Sequence, residues 1–183
     1  MKRKPKTMAS FGRRSAVLDA ARHLQQQREA SGFVGALSPT PQAFIDELLA
    51  DADFVAVSPR AVLDLGCGDG RWLTAISARF SLCVCVGVEL DAGQLARCPT
   101  NTPGIDLILA NFTKRLPLYF NAFDFIVVYL SRVGNEVLKS TLASECSVGT
   151  HVLAVGFEMK GWVAKKTFRC RASRLGAYLY VIT

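Results

Sequence analysis

At 183 residues, half of them hydrophobic and only 20% charged, the chain has enough apolar surface to bury a core in one domain, which excludes global disorder. The formal charge of +7 sits almost wholly at the start, since residues 1–30 carry eight Lys/Arg against Asp19 and Glu29; the near-neutral remainder speaks against nucleic-acid binding by the folded core. Six cysteines without a CxxC pair and two histidines show no zinc-ligand spacing, so no metal is expected, and the lack of an apolar run of about 18 residues points to a soluble, intracellular protein in a reducing compartment.

The basic run from Lys2 to Arg14 has almost nothing to bury and predicts disorder. Val17, Leu18, Ala21 and Leu24 recur at helical spacing beside Arg14, Arg22 and Arg28, so residues 15–30 predict an amphipathic helix. This arm, residues 1–30, reads as a mitochondrial presequence, a nuclear-import or RNA-contacting patch, or a solvated tail, placing the protein in mitochondria or cytoplasm before the nucleus. The domain proper is taken as residues 31–183.

Ser38-Pro39-Thr40-Pro41 predicts a helix start, with Thr40 capping the free amides and Pro41 at the first helical position. Phe44, Ile45, Leu48 and Leu49 form its apolar stripe. Ala61 to Leu65 is a short apolar run that stops at glycines, as a buried parallel strand does. The pattern then alternates: a helix over 71–80, a strand over 82–89, a short helical or irregular piece over 91–98 and strands over 105–110 and 123–130. A helix over 133–145 with Val137, Leu138 and Leu142 inward and a strand over 150–157 follow. Alternation of this kind predicts an α/β domain with a doubly wound, mostly parallel sheet. Lys166 to Ala172 and Ala177 to Thr183 are both strand-like and only four residues separate them, so the sheet is expected to end in an antiparallel hairpin. Cys83 and Cys85, two apart in an apolar strand, should face the same way as small buried hydrophobes.

Asp64-Leu65-Gly66-Cys67-Gly68-Asp69-Gly70 leaves the first strand and opens a helix, which is where doubly wound folds bind ligands. Its spacing, Gly66-x-Gly68-x-Gly70, differs from the GxGxxG of dinucleotide enzymes. Asp64 and Asp69 place negative charge where a diphosphate would need none, whereas a sulfonium and an amino group are cationic, so the electrostatics favour S-adenosyl-L-methionine. Glu89, closing the second strand, is a candidate acceptor for both ribose hydroxyls. Asn111 and Phe112, after the third strand, are candidates to flank the adenine.

Val62 to Arg71 resembles the first motif of class I S-adenosylmethionine-dependent methyltransferases. The resemblance implies a seven-stranded sheet with a reversed last strand, a carboxylate-ribose contact from Glu89 and adenine contacts near Asn111. The cofactor-binding set is then Pro39, Thr40, Asp64, Gly66, Cys67, Gly68, Asp69, Gly70, Glu89, Leu90, Asn111 and Phe112. More narrowly, Ser38-Pro39-Thr40-Pro41, Gly68-Asp69-Gly70-Arg71, Asn111-Phe112-Thr113-Lys114 and Phe157 to Trp162 are similar to the small mitochondrial lysine methyltransferases of the ATP synthase c-subunit and the adenine nucleotide translocase. That likeness implies a protein substrate.

Val128-Tyr129-Leu130-Ser131 stands where methyltransferases of adenine or glutamine amino groups carry an Asn/Asp-Pro-Pro-aromatic tetrad. Without it, base and amide methylation are disfavoured, and sp³ amines, oxygens and small molecules remain open. Tyr129 is the candidate for steering the acceptor, or else a core aromatic. Trp162, Phe157 and the terminal hairpin line the acceptor pocket or only pack on the sheet. Three readings stand together: a protein-lysine methyltransferase, a small-molecule or RNA methyltransferase, and a non-catalytic scaffold with this fold.

Overall fold

A computed structural model describes residues 38–99, 102–114, 116 and 118–183; the basic arm and the helix expected over 15–30 lie outside the described residues. Helices α1 (Gln42–Ala50) and α2 (Ala52–Val57) precede strand β1 (Ala61–Leu65). There follow α3 (Arg71–Arg79), β2 (Val84–Glu89), α4 (Ala92–Leu95) and β3 (Ile105–Leu109). A 3-10 turn (Phe120–Ala122) leads to β4 (Phe125–Val128), α5 (Arg132–Glu145), β5 (His151–Val155), β6 (Lys166–Arg169) and β7 (Gly176–Val181).

All seven strands form one sheet in the order β3-β2-β1-β4-β5-β7-β6. β1 to β5 pair in parallel, while β7 pairs antiparallel with both β5 and β6. The expected hairpin therefore forms, with β7 slotted between β5 and β6. The chain winds outward from β1 to β3 on one side and from β4 on the other, so a crevice opens at the carboxyl ends of β1 and β4.

Both faces of the sheet are covered by apolar residues, because parallel strands buried on two sides need no polar alternation. One face packs Val62, Phe125, Val127 and Leu153 against Phe44, Ile45 and Leu48 of α1 and Trp72, Leu73 and Ile76 of α3. The other packs Leu63, Leu65, Ile126 and Val152 against Leu138 and Leu142 of α5. Cys83 and Cys85 face together in the first cluster, their sulfurs 3.8 Å apart.

Two local expectations fail for tertiary reasons. Thr40 does not cap α1, whose N-cap is Pro41 without a side-chain bond; the Thr40 hydroxyl is buried and accepts from the Trp72 indole N–H at 3.1 Å. Val137 is 46% exposed, because α5 turns its stripe toward the sheet through Leu138 and Leu142, with Gly134 and Asn135 buried one turn earlier. Helix α2 carries no strong periodicity in the sequence; its start is set by Asp51, whose carboxylate accepts from the Asp53 amide at 3.0 Å.

Candidate functional site

The turn after β1 is shaped by three left-handed glycines, Gly66, Gly68 and Gly70, at φ of 84°, 58° and 73°. Side chains with a Cβ are strained there. The amides of Gly66 and Cys67 donate to the Val88 carbonyl at 2.8 and 3.1 Å, which bends the chain back over β2. A Cβ on Gly66 would stand 3.3 Å from Leu130 Cδ2, so the loops after β1 and β4 meet across the crevice. A Cβ on Gly68 would meet nothing within 4 Å: the turn faces open space there.

Glu89 is buried at the end of β2. Its Oε2 accepts from the Gly68 amide at 2.9 Å, and its Oε1 from the Leu90 and Asp91 amides at 2.8 and 2.9 Å. A carboxylate offers about four lone-pair positions, so three backbone donors leave about one, on Oε2. Glu89 thus fixes the glycine turn against β2 while keeping acceptor capacity toward the crevice.

Asp64 is 2% exposed and its Oδ2 has no hydrogen-bond donor. Burial, reinforced by the neighbouring Glu89 and Asp69, pushes its carboxyl up to about 8, so at neutral pH it holds a proton until a positive charge arrives. Asp69 differs. The Arg71 guanidinium bonds both of its oxygens and holds its carboxyl below the usual carboxylate range. The two aspartates therefore do not supply two free negative charges at the turn at neutral pH: Asp69 is matched by Arg71, and Asp64 is mostly protonated.

Arg71 also donates to the Thr40 carbonyl at 2.7 Å. With the Trp72 bond to the Thr40 hydroxyl, this clamps the segment before α1 onto the glycine turn and brings Pro39 and Thr40 to the same edge. Cys67 is buried, and burial pushes its thiol up, which marks it as an inert packing group. Cys98, which the sequence does not single out, donates its thiol to the Gly68 carbonyl at 3.3 Å; thirty residues separate them and no local pattern signals the contact. Gly87 is similarly unannounced: a Cβ there would sit 2.6 Å from Leu73 and 2.8 Å from the Cys67 sulfur, so α3 packs directly on the β2 backbone.

Phe112 reaches the crevice, its Cε1 being 3.9 Å from the position of a Gly66 Cβ. Asn111 turns inward on its own loop, with Oδ1 accepting from the Thr113 amide and hydroxyl at 2.9 and 2.7 Å. Leu90 is partly exposed at the end of β2. Tyr129 is half-buried after β4, and burial pushes its phenol up; its ring lies 2.8 Å from where a Gly156 Cβ would be, so only glycine fits beside it.

The loop after β5 is held in several places. Asn135 of α5 donates to the Phe157 carbonyl at 3.0 Å, the Met159 amide donates to the Tyr180 hydroxyl at 2.9 Å, and Lys139 donates to the Lys160 carbonyl at 2.8 Å. The Arg132 guanidinium lies 5.2 Å over the Phe157 ring, and Trp162 stands edge-on to Tyr180 at 5.6 Å. Phe157 and Trp162 are thereby fixed, Phe157 against the start of α5. No helix among the described residues is long and apolar enough to cross a membrane.

Comparison with known proteins agrees with this geometry. The family described as a methyltransferase domain matches residues 62–148. A protein-lysine N-methyltransferase of Saccharolobus islandicus is 28% identical over 152 residues, covering 79% of this chain and 91% of that protein. A malonyl-[acyl-carrier protein] O-methyltransferase of Methylovorus is 30% identical over 81 residues, covering 44% of this chain and 27% of that enzyme. Among solved structures, an RNA methyltransferase of Salinibacter ruber in complex with S-adenosyl-L-homocysteine superposes with a TM-score of 0.68 at 23% identity, covering 79% of this chain and 94% of that one. With the strand order, the reversed β7 and the glycine turn opposite Glu89, these matches show an S-adenosylmethionine-dependent methyltransferase domain, its family match spanning residues 62–148.

Proposed function

We propose that this methyltransferase acts on a lysine side chain of a protein, and that the crevice between the β1 and β4 loops holds S-adenosyl-L-methionine. The observation that carries the cofactor site is the pair of carboxylates at the glycine turn: a buried Asp64 oxygen lacking any donor, and a Glu89 fixed by three amides with a lone pair to spare. Both fit a cationic ligand that also bears hydroxyls. Gly66, Gly68 and Gly70 let the backbone approach it, and Cys67 and Asp69 keep the turn in shape from behind. Phe112 and Asn111 would flank the adenine, Leu90 would pack on it, and the Pro39-Thr40 segment, clamped by Arg71, would close over the methionine end.

S-adenosyl-L-methionine supplies a methyl carbon already activated by its sulfonium, so the protein chiefly has to align the acceptor and keep water out. Tyr129 and Phe157 supply half-buried aromatic surface for that purpose beside Gly156. A lysine must lose its proton before it attacks. Its ordinary pKa is about 10.4, and an apolar, partly desolvated wall lowers it. Support for lysine comes from the likeness to the Saccharolobus enzyme along most of both chains and from Val128-Tyr129-Leu130-Ser131, which lacks the Asn/Asp-Pro-Pro-aromatic tetrad that holds planar amino groups.

Radiolabelled methyl transfer into total cell protein, RNA and small-molecule extract is the test. Label in protein that yields methyllysine on acid hydrolysis is expected, and Tyr129→Phe should lower it at unchanged cofactor affinity. Label confined to RNA or small molecules would overturn the lysine assignment and leave the cofactor site intact.

A further inference from the structure

The antiparallel end of the sheet concentrates positive charge next to the crevice. Six of the fourteen Lys/Arg after residue 30 fall between residues 158 and 174, where Glu158 is the sole acid. β6 runs in the same direction as β5, because both pair antiparallel with β7. The turn from Cys170 to Leu175 therefore emerges at the same edge as the glycine turn.

That turn is rooted beside Tyr129. The Cys170 amide donates to the Leu175 carbonyl at 2.9 Å, closing the turn, and the Gly156 amide donates to the Gly176 carbonyl at 2.8 Å. A Cβ on Gly156 would lie 3.7 Å from Leu175 on one side and against the Tyr129 ring on the other. Arg169, Arg171 and Arg174 are exposed, and no carboxylate among the described residues forms an ion pair with their guanidinium groups; Glu47 accepts only from the Arg171 backbone amide, at 3.3 Å. Lys166, at the opposite end of β6, is held by Asp51 and Asp53. The unmatched charge lies at the crevice end of β6.

We propose that Arg169, Arg171 and Arg174 form a docking surface for an acidic stretch of the protein acceptor, seating it so that a neighbouring lysine enters beside Tyr129. Methylation of the seated lysine rests on the protein-lysine reading; the docking itself does not. Guanidinium groups pair bidentately with carboxylates. Arg169 and Arg171 are separated by one residue, hence at most about 7 Å along the chain, the repeat at which an extended peptide presents alternate side chains on one side. An RNA fits less well. A nucleic-acid path needs a continuous basic track, usually with aromatic rings for stacking, whereas residues 169–175 contain no aromatic.

The test uses the full chain with fluorescent lysine-centred peptides, one flanked by glutamates and one by glutamines, and an oligouridine RNA. Anisotropy should show the acidic peptide bound about tenfold or more tightly than its glutamine counterpart at low salt, with most of the advantage gone at about 0.5 M salt. The double variant Arg171→Glu, Arg174→Glu should erase the preference while its affinity for S-adenosylhomocysteine, by calorimetry, stays unchanged. Equal binding of the two peptides, a preference that survives the double reversal, or RNA bound more tightly than the acidic peptide overturns the proposal. Methyl transfer is read in parallel. An acidic peptide held through the arginines and never methylated counts against the lysine reading and leaves the docking surface standing.

Discussion

Replacing Asp64 by Asn removes one buried ionisable group and keeps its shape. In the folded chain this carboxyl sits at about 8, against 3.8 for an exposed aspartate. Between those limits the folded protein holds a proton that the unfolded chain has lost, so the group favours folding most at acid pH, and the contribution drains away as pH rises, levelling above about 8. Each pKa unit is worth about 1.4 kcal/mol. From pH 5 to 8 the wild type should therefore lose on the order of 4 kcal/mol of stability through this group, and Asp64→Asn should lose none of it. Urea unfolding of both proteins across that range isolates the effect as a difference, in which other titrating groups cancel. The same carboxyl should ionise when a cationic ligand binds, so calorimetry of S-adenosylmethionine near pH 7, in buffers of differing ionisation enthalpy, should show close to one proton released by the wild type and close to none by the variant. A flat difference curve, together with equal proton release, would refute the assignment of Asp64 as a carboxyl that is protonated at neutral pH in the empty site and ionises when a cation binds.

Gly68→Arg should abolish binding of S-adenosylhomocysteine without unfolding the domain, because the new side chain enters open space at the turn and a left-handed backbone costs about 1–2 kcal/mol for a side chain; calorimetry with a circular-dichroism melt separates the two effects. Glu89→Gln turns a carboxamide NH2, itself a donor, toward at least one of the three amides that Glu89 accepts from, and should cost about 1–3 kcal/mol of stability as well as cofactor affinity, the first read by urea midpoint and the second by calorimetry. Thr40→Val strands the Trp72 indole N–H and should lower stability by about 1–3 kcal/mol, with a weaker affinity for cofactor because the segment before α1 loses one of its two ties to the turn.

What can be read along the chain is whatever depends on neighbours in sequence. Ala61–Leu65 followed by Gly66, Gly68 and Gly70 announces a strand, a tight turn and a helix, because apolar runs and left-handed backbone are local properties, and the expected hairpin follows from the four residues between two strand-like segments. Asp64 and Glu89 are legible as candidates since each sits next to a strand end. Their states are not. The three amides around Glu89, the matched charge of Asp69, the clamp from Arg71 and Trp72 to Thr40, and the Cys98 thiol on the Gly68 carbonyl join positions as many as thirty-two residues apart, and the longest of them arise only when α1, α3 and β2 converge. Thr40 shows the difference: alone it is a helix cap, and in the fold a tryptophan claims its hydroxyl. Likewise three arginines scattered over residues 169–174 carry no message in a nearly neutral domain, until β7 reverses direction between β5 and β6 and lifts their turn to the edge of the sheet where the glycines lie.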